Sequence, residues 1–233
     1  MRKVLITGVS QGIGAAIAKR LLQEGYHVVG VGRSNNKYLK DERDYTFIQE
    51  DLSQAKDLEK RIKTIVSLHE DTDVFIGNAG KGLFGNLEQI STLEIQTIFN
   101  LNLFHNIYFS KFLLPSMKMK SHGDFIFIGS EASLQGKKKA SIYCASKFAL
   151  RGFVQSLSDE CRFSSIRVAL INPGFCRTGF YQNFNFEPKE GASYAIEPSQ
   201  VANYVWTLLN TSTDVWVSEV NINPRKYAVN FKK

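Results

Sequence analysis

A tyrosine and a lysine stand four residues apart in the segment SIYCASKFAL, residues 141–150. If this segment is helical, Tyr143 and Lys147 lie one turn apart on the same face and can reach a common ligand. A phenol ionises near pH 10, and a neighbouring positive charge such as Lys147 would help it to exchange protons at neutral pH. The spacing also occurs in ordinary amphipathic helices, so its meaning depends on the rest of the chain.

A glycine-rich segment, TGVSQGIG at residues 7–14, lies between an apolar run and a helical stretch. Gly8, Gly12 and Gly14 allow a tight turn and a close approach to a ligand, and the following helix offers free N–H groups to a pyrophosphate. The same letters contain the G-x-S-x-G pattern of serine hydrolases. A hydrolase is disfavoured because the pattern follows only one strand and no histidine follows His122.

The second predicted strand ends in VGVGRSNNK, residues 29–37. Sites that prefer NAD commonly have an acid here that binds the ribose hydroxyls, whereas a 2′-phosphate needs a cation. Arg33 and Ser34 follow the strand, and the acid is missing. We therefore predict NADP (NADPH) as the cofactor, with NAD as the weaker choice.

Apolar, β-branched runs alternate with helical periodicity along the chain. Strands are predicted at 3–7, 27–31, 45–48, 73–77, 124–128, 166–171 and 215–222. Helices are predicted near 12–24, 54–68, 91–119, 143–163 and 198–210. This order predicts an α/β fold, with one doubly wound Rossmann-type domain over residues 1–233 and a parallel sheet of about seven strands covered by helices on both faces. Residues 179–197 lack a clear period and are predicted to form a substrate loop.

The composition is that of a soluble globular protein, with 43% hydrophobic and 22% charged residues. No apolar run approaches the ~20 residues of a membrane span, and the segment MRKVLITG is too short for a signal peptide. We therefore expect a cytoplasmic protein without a membrane partner. The three cysteines and four histidines show no metal-ligand spacing, so no metal is expected. The net charge of +7 is dispersed, which disfavours a nucleic-acid partner.

These segments together resemble the short-chain dehydrogenase/reductase family over roughly residues 3 to 180. TGVSQGIG resembles the TGxxxGxG loop of that family. NAG at residues 78–80 is similar to its NNAG segment, with Gly77 in place of the first asparagine. NPGFCRT, residues 172–178, is similar to its PG-x-x-x-T segment. The ordered set of motifs carries the resemblance, because each motif alone has little specificity.

The resemblance extends to four catalytic residues. Tyr143 and Lys147 match the Tyr-x-x-x-Lys motif, Ser130 stands thirteen residues before Tyr143, and Asn102 stands thirteen residues before Pro115. By this resemblance Tyr143 is the general acid in carbonyl reduction and the base in alcohol oxidation. Ser130 would bind the substrate oxygen, Lys147 would bind the nicotinamide ribose, and Asn102 would help to hold a water of a proton relay.

The resemblance also implies which residues contact the cofactor and the substrate. Cofactor contacts are expected from Gly8, Ser10, Gln11, Gly12, Ile13, Gly14, Arg33, Ser34, Asp51, Leu52, Asn78, Ala79, Gly80, Tyr143, Lys147, Pro173, Gly174, Phe175 and Thr178. The substrate pocket is expected from Ser130, Gln135, Tyr143, Phe180 and Tyr181. An aspartate before a helix is also a common N-cap, so Asp51 has two compatible interpretations.

The activity implied is hydride transfer between NADPH and a ketone or aldehyde, or the reverse on a secondary alcohol or 3-hydroxy acid. A homodimer or homotetramer through helices 91–119 and 143–163 is expected. The segment DVWVSEVNINP, residues 214–224, departs from the ending of 3-oxoacyl-carrier-protein reductases, which makes fatty-acid synthesis less favoured. Lys137 to Lys139 either attract an acidic substrate or form a solvated turn. The alternative function is an NADP-binding regulatory or sensor protein, which would have no chemical need for Ser130 and Tyr143.

Overall fold

The computed structural model describes residues 1–232. The strands are β1 (Lys3–Thr7), β2 (His27–Gly32), β3 (Tyr45–Gln49), β4 (Val74–Gly77), β5 (Gly123–Ile128), β6 (Ile166–Pro173), β7 (Phe186–Pro188), β8 (Glu219–Ile222) and β9 (Val229–Phe231). The helices are α1 (Gly12–Gln23), α2 (Leu58–Ser67), α3 (Thr92–Phe99), α4 (His105–Lys120), α5 (Ser141–Glu160) and α6 (Pro198–Asn210). No helix among residues 1–232 combines the length and the hydropathy needed to cross a membrane.

Seven strands form one sheet in the order β3-β2-β1-β4-β5-β6-β8, and every neighbouring pair is parallel. The predicted doubly wound fold is therefore confirmed. Leu5 of β1 pairs with Val29 on one side and with Phe75 on the other, so the strand order reverses at β1. In such sheets the crevice at the carboxyl ends of the strands, next to the reversal, is where ligands bind.

Two hydrophobic cores lie on opposite faces of this sheet. Leu5 faces the core formed with α2, α4 and α5, whereas its neighbours Val4 and Ile6 face the core formed with α1 and α6. Successive side chains of a strand point to opposite faces, so a strand covered on both sides must be apolar at every position. This explains the continuous apolar runs that mark β1, β4 and β5.

Several predicted boundaries are wrong. The helix predicted at 91–119 is interrupted by a π-helical turn, Asn100–Phe104, between α3 and α4. The helix predicted at 54–68 begins only at Leu58, because the residues before it form turns, and the one predicted at 143–163 spans Ser141–Glu160. The strand predicted at 215–222 is β8, which begins only at Glu219. Hydrophobic periodicity fixes the middle of an element better than its ends.

The region predicted as an irregular loop, residues 179–197, contains the short strand β7. It pairs antiparallel with β9, with Pro188 opposite Val229 and Phe186 opposite Phe231. Two further backbone bonds extend this ladder, from Lys189 N to Ala228 O at 2.9 Å and from Lys232 N to Asn185 O at 2.8 Å. A strand of three residues has no readable period, so the sequence did not indicate this pairing.

Candidate active site

Three of the predicted catalytic residues meet at the carboxyl end of β5. Tyr143 and Lys147 lie one turn apart on α5 and are 7% and 5% exposed. The side chain of Ser130, which directly follows β5 and Gly129, neighbours the Tyr143 phenol. The Lys147 ammonium donates to the Ile128 carbonyl at 3.0 Å. The structure thus brings the serine, the tyrosine and the lysine together.

Burial shifts both titrating groups of this site. It raises the pKa of Tyr143 to about 12, although the polar side chain of Ser130 acts in the opposite direction. It lowers the pKa of Lys147 to about 8, because desolvation disfavours the ammonium. The sequence predicted that Lys147 would depress the pKa of Tyr143. In the structure burial outweighs any such effect, and the phenol is protonated at neutral pH.

Asn102, the fourth predicted catalytic residue, lies in the π-helical turn and is fully buried. Its Oδ1 accepts from Lys81 N at 2.9 Å, and its Nδ2 donates to Lys81 O at 3.1 Å and to Ser146 Oγ at 2.9 Å. A Cβ atom on Gly80 would lie 3.3 Å from Asn102 Oδ1 and 3.6 Å from Lys147 Nζ. Asn102 and Lys147 therefore converge beside Gly80. An amide oxygen has two lone pairs, so Oδ1 retains one for a further donor.

Ser130 is oriented by a residue whose role the sequence did not indicate. Asn172, fully buried near the end of β6, accepts from Ser130 N at 3.3 Å and from Ser133 Oγ at 2.7 Å. Its Nδ2 donates to Glu219 Oε1 at 2.8 Å and to Asn221 Oδ1 at 2.9 Å. The signal was available, because Asn172 opens the NPG segment. Its amide joins β5 to β8 and fixes the turn that carries Ser130.

The glycine loop turns between β1 and α1 as predicted. Gly8 has φ of 76° and Gly12 has φ of 61°, values that side chains rarely tolerate. A Cβ atom on Gly14 would overlap the Gly8 carbonyl and the Asn78 amide. Asn78 Nδ2 donates to Thr7 O at 2.9 Å and to Gly8 O at 3.1 Å. Asn78 therefore holds the loop in place. The N-terminus of α1 follows this loop, at the carboxyl end of β1.

Thr7 ties the same loop to the neighbouring strand. Its hydroxyl accepts from the backbone N–H groups of Asn78 and Ala79, both at 3.0 Å, and lies 3.3 Å from Nε2 of His105. With both lone pairs used, the hydroxyl proton is directed at His105 Nε2. Burial lowers the pKa of His105 to about 3, so the imidazole is neutral.

The segment after β2 contacts the glycine loop. Ser10 Oγ donates to Ser34 O at 2.5 Å, and Ser34 Oγ donates to Ser10 Oγ at 3.3 Å. Asn36, which the sequence interpretation missed, donates from Nδ2 to Ser10 O at 3.0 Å. Arg33 is exposed at this end of the site. A cation and hydroxyl groups thus border the loop where the strand order reverses.

Asp51 and Leu52 follow β3 in the same region. Asp51 Oδ1 accepts from Ser53 N at 3.0 Å and from Ser53 Oγ at 2.6 Å, which closes a local turn. The N-cap interpretation is wrong, because the residue that precedes α2 is Asp57. Leu52 is buried in the core below the sheet edge. Burial raises the pKa of the Asp51 carboxyl, but the hydrogen bonds from Ser53 outweigh it and lower the pKa, and the charge of Arg33 adds to the lowering.

The PG-x-x-x-T segment closes over the glycine loop from the other side. A Cβ atom on Gly12 would lie 3.2 Å from Cγ2 of Thr178, and one on Gly179 would lie 3.1 Å from Nε2 of Gln11. Ile13 packs against the core shared by α1 and α6. The remaining predicted cofactor residues of this segment lie at the end of β6 or just after it: Pro173, Gly174 and Phe175.

Aromatic rings surround the predicted substrate residues. The ring centroids of Tyr143 and Phe180 are 6.0 Å apart, and those of Phe180 and Tyr181 are 5.1 Å apart. Gln135 is exposed and accepts from Lys137 Nζ at 2.9 Å. The structure therefore brings Phe180 and Tyr181 to the reacting tyrosine and leaves Gln135 on the surface.

Further aromatic residues of this site were missed by sequence reasoning. Phe84 packs on Tyr143 with centroids 5.6 Å apart and also contacts Phe184 and Phe186. We call the whole set the aromatic cluster: Phe84, Tyr143, Phe175, Phe180, Tyr181, Phe184, Phe186 and Tyr227. Its members come from four separate parts of the chain. Tyr143 and Phe175 were already marked by motifs, and for the other members only the aromatic composition of residues 180–186 gave a signal.

Comparison with known proteins decides the family. The sequence model of a family described as short chain dehydrogenase matches residues 2–189. The chain belongs to the short-chain dehydrogenase/reductase family. It is therefore an oxidoreductase by family, and the resemblance stated from its motifs is confirmed.

Individual relatives share about a third of the matched residues. The chain is 32% identical over 188 residues to a 3-ketodihydrosphingosine reductase of Bacteroides thetaiotaomicron, covering 81% of this chain and 69% of that protein. It is 33% identical over 190 residues to a 3-oxoacyl-acyl-carrier-protein reductase of Buchnera aphidicola, covering 79% and 77%. Among solved structures, the alcohol dehydrogenase of the archaeon Thermococcus sibiricus complexed with 5-hydroxy-NADP is 26% identical, with a TM-score of 0.83 and coverage of 98% and 99%.

Proposed function

We propose that this protein is an NADP(H)-dependent oxidoreductase that reduces a ketone or aldehyde, or oxidises a secondary alcohol or 3-hydroxy acid in the reverse direction. One observation carries the proposal. The buried phenol of Tyr143 neighbours Ser130 at the carboxyl end of β5 and lies one turn from Lys147 on α5. Proton transfer to a carbonyl oxygen needs such a donor and a second hydrogen-bond donor beside it.

The glycine loop fits a dinucleotide. Positive φ at Gly8 and Gly12 keeps the backbone bare of side chains where α1 begins, which suits a pyrophosphate. The nicotinamide end would meet Lys147 and the segments 78–80 and 173–178. When bound, the cofactor supplies or accepts the hydride.

The choice of NADP over NAD rests on the exposed Arg33 and on Ser34, which suit a 2′-phosphate. The solved alcohol dehydrogenase complexed with 5-hydroxy-NADP supports the same choice.

The proton chemistry is assigned to residues of this chain. In reduction, Tyr143 donates its proton to the carbonyl oxygen, and its raised pKa ensures that the proton is present at neutral pH. Ser130 donates a hydrogen bond to the same oxygen as negative charge develops on it. Lys147 holds positive charge near the phenol. Asn102 fixes the π-helical turn and offers the remaining lone pair of Oδ1 to a relay water.

The proposal is tested by following NADPH consumption at 340 nm with a panel of aldehydes, ketones and 3-oxo acids, with NADH in parallel. We expect turnover with NADPH preferred. Replacing Ser130 by alanine removes one donor to the developing oxyanion and should lower kcat by about 10²–10³-fold. The matched control is Ser116→Ala on α4, whose hydroxyl bonds only the Leu113 carbonyl of its own helix.

The same assay on the wild-type protein also distinguishes the oxidoreductase from the alternative function, an NADP-binding sensor. Tight NADPH binding without turnover of any compound would instead favour the sensor function. A cytoplasmic location, a homodimer or homotetramer, and one domain over residues 1–233 remain predictions from the sequence.

A further inference from the structure

An acidic residue that the proposed chemistry does not use lies directly beside the reacting groups. Glu131 follows Ser130 and opens a short turn, Glu131–Ser133, with its side chain half-buried. Among residues 1–232, no lysine, arginine or histidine nitrogen comes within 4.0 Å of its carboxylate. The phenol of Tyr227 is its neighbour, and burial together with the charge of Glu131 raises the pKa of that phenol. A half-buried carboxylate that has no ion-pair partner favours a cation as its partner.

Five rings of the aromatic cluster form a continuous series from the neighbour of Glu131 to the reacting tyrosine. The series runs Tyr227, Phe175, Tyr181, Phe180 and Tyr143, with centroid separations of 5.7, 6.0, 5.1 and 6.0 Å. The first ring neighbours Glu131, and the last neighbours Ser130, the residue that precedes it. The Glu131 carboxylate and the five rings therefore lie together, next to the phenol that donates the proton.

The negative charge of Glu131 raises the pKa of the three tyrosines in this series of rings. The pKa of Tyr143, of Tyr181 and of Tyr227 is raised in each case, chiefly by burial, and the negative charge of Glu131 adds to the shift. Its field therefore extends over the same space as the rings. The cationic side chains nearest in sequence, Lys137 to Lys139, are exposed, and Lys137 bonds Gln135.

We propose that the substrate is a carbonyl compound or alcohol that carries an ammonium group, with Glu131 as its counter-ion and the rings as its walls. A cation held against aromatic faces beside a carboxylate gains both cation–π attraction and an ion pair. This inference rests on the proposed oxidoreductase function and names its substrate class. It sets aside attraction of an acidic substrate by Lys137 to Lys139, because these lysines are exposed whereas Glu131 is half-buried directly after Ser130.

The test compares two ketones of equal shape, 3-acetyl-N,N,N-trimethylanilinium and 3-tert-butylacetophenone, as substrates with NADPH. The expected ratio of kcat/KM, cation over neutral, is about tenfold or more in the wild-type protein. In Glu131→Gln, which keeps an acceptor for Tyr227, the ratio should fall to about one. The matched control is Glu88→Gln, which removes the same charge from an exposed turn and should keep the wild-type ratio.

Calorimetric binding of phenyltrimethylammonium to the protein loaded with NADP separates this proposal from the proposed function. A wild-type ratio near one, or an unchanged ratio in Glu131→Gln, would overturn the ammonium proposal and leave the oxidoreductase in place. Binding that depends on Glu131, without turnover of either ketone, would sustain the cation site and refute the reductase on these ketones. The absence of both binding and turnover would overturn the ammonium proposal and refute the reductase on these ketones.

Discussion

The two halves of the active site are built in different ways. The cofactor half consists of residues 7–14, 78–80 and 100–104, and hydrogen bonds from Thr7, Asn78 and Asn102 hold it together. The substrate half consists of the aromatic cluster, which is held by ring contacts and by the short pairing of β7 with β9. Polar contacts with fixed geometry specify one arrangement, whereas packed rings can be exchanged with less loss. This contrast agrees with our proposal that the first half binds the cofactor and that the second half selects the substrate.

The largest effect is expected from Lys147→Met, which should lower activity and at the same time stabilise the fold. We expect kcat to fall about 10³-fold, because the charge beside Tyr143 is lost. The free energy of unfolding of the protein without cofactor should rise at pH 7 by ~3 kcal/mol, since burial lowers the pKa of this lysine from 10.5 to about 8. Denaturant titration measures this, and a destabilised variant with full activity would contradict it.

The same lysine predicts how stability depends on pH. Below pH 8 both the folded and the unfolded protein hold the Lys147 proton, so folding carries the full desolvation cost. Between about pH 8 and 10.5 the unfolded state binds more protons than the folded state, and the stability contributed by this group rises with pH. Lys147→Met should lack that rise. Denaturant midpoints of both proteins across this window check the prediction.

Gly14→Ala tests whether the close packing of the glycine loop is needed for cofactor binding. Its new Cβ would overlap the Gly8 carbonyl and the Asn78 amide, so we expect NADPH affinity to fall about 10–100-fold. Gly152→Ala is the matched control, because a Cβ atom there meets nothing within 4 Å and the site lies inside α5. That variant should bind NADPH normally. Fluorescence titration decides, and equal affinities in the two variants would refute the close packing of the loop.

Arg33→Ala tests the charge at the adenosine end. The exposed guanidinium is the expected partner of a 2′-phosphate, so we expect NADPH affinity to fall about tenfold and NADH affinity to stay the same. Arg162→Ala, an exposed arginine after α5 paired with Asp159, is the control for net charge. Equal losses for both cofactors in Arg33→Ala would show that this residue does not select between them.

The smallest effect is expected in the substrate half, from Asn230→Pro. Proline removes a backbone donor from β9 opposite Glu187 of β7. We expect KM for the substrate to rise about fivefold, as one hydrogen bond is worth about 1 kcal/mol, while the dissociation constant of NADPH stays unchanged. Steady-state kinetics and cofactor titration on the same preparation make the comparison. A matching loss of cofactor affinity would show that the two halves are not separable.

The sequence predicted the cofactor half better than the substrate half, for a physical reason. Glycines that must adopt positive φ, such as Gly8 and Gly12, and polar residues at strand ends leave a local pattern. The seven-stranded sheet followed from apolar runs that have to be buried on both faces. Asn102, which the motif spacing singled out, lies near Lys147 beside Gly80, although the π-helical turn that carries it was not visible in the periodicity of residues 91–119.

The aromatic cluster left no such pattern. Phe84 and Tyr227 are separated by 143 positions in the sequence, and each is an ordinary aromatic residue in its own neighbourhood. Their contact with the site depends on how residues 179–197 fold back and on the pairing of β7 with β9. Burial also reversed the predicted shift of the Tyr143 pKa, since desolvation is a property of the folded protein and not of the spacing to Lys147.

The most direct test of the account is a single-turnover measurement on Tyr143→Phe with saturating NADPH and an accepted ketone. Phenylalanine keeps the ring that contacts Phe84 and Phe180 and removes only the proton donor. We predict an NADPH dissociation constant within about twofold of wild type and a rate of NADPH oxidation reduced about 10³-fold. Tyr204→Phe, at an exposed position of α6, is the control. A Tyr143→Phe rate within about tenfold of wild type would contradict the assignment of Tyr143 as the proton donor.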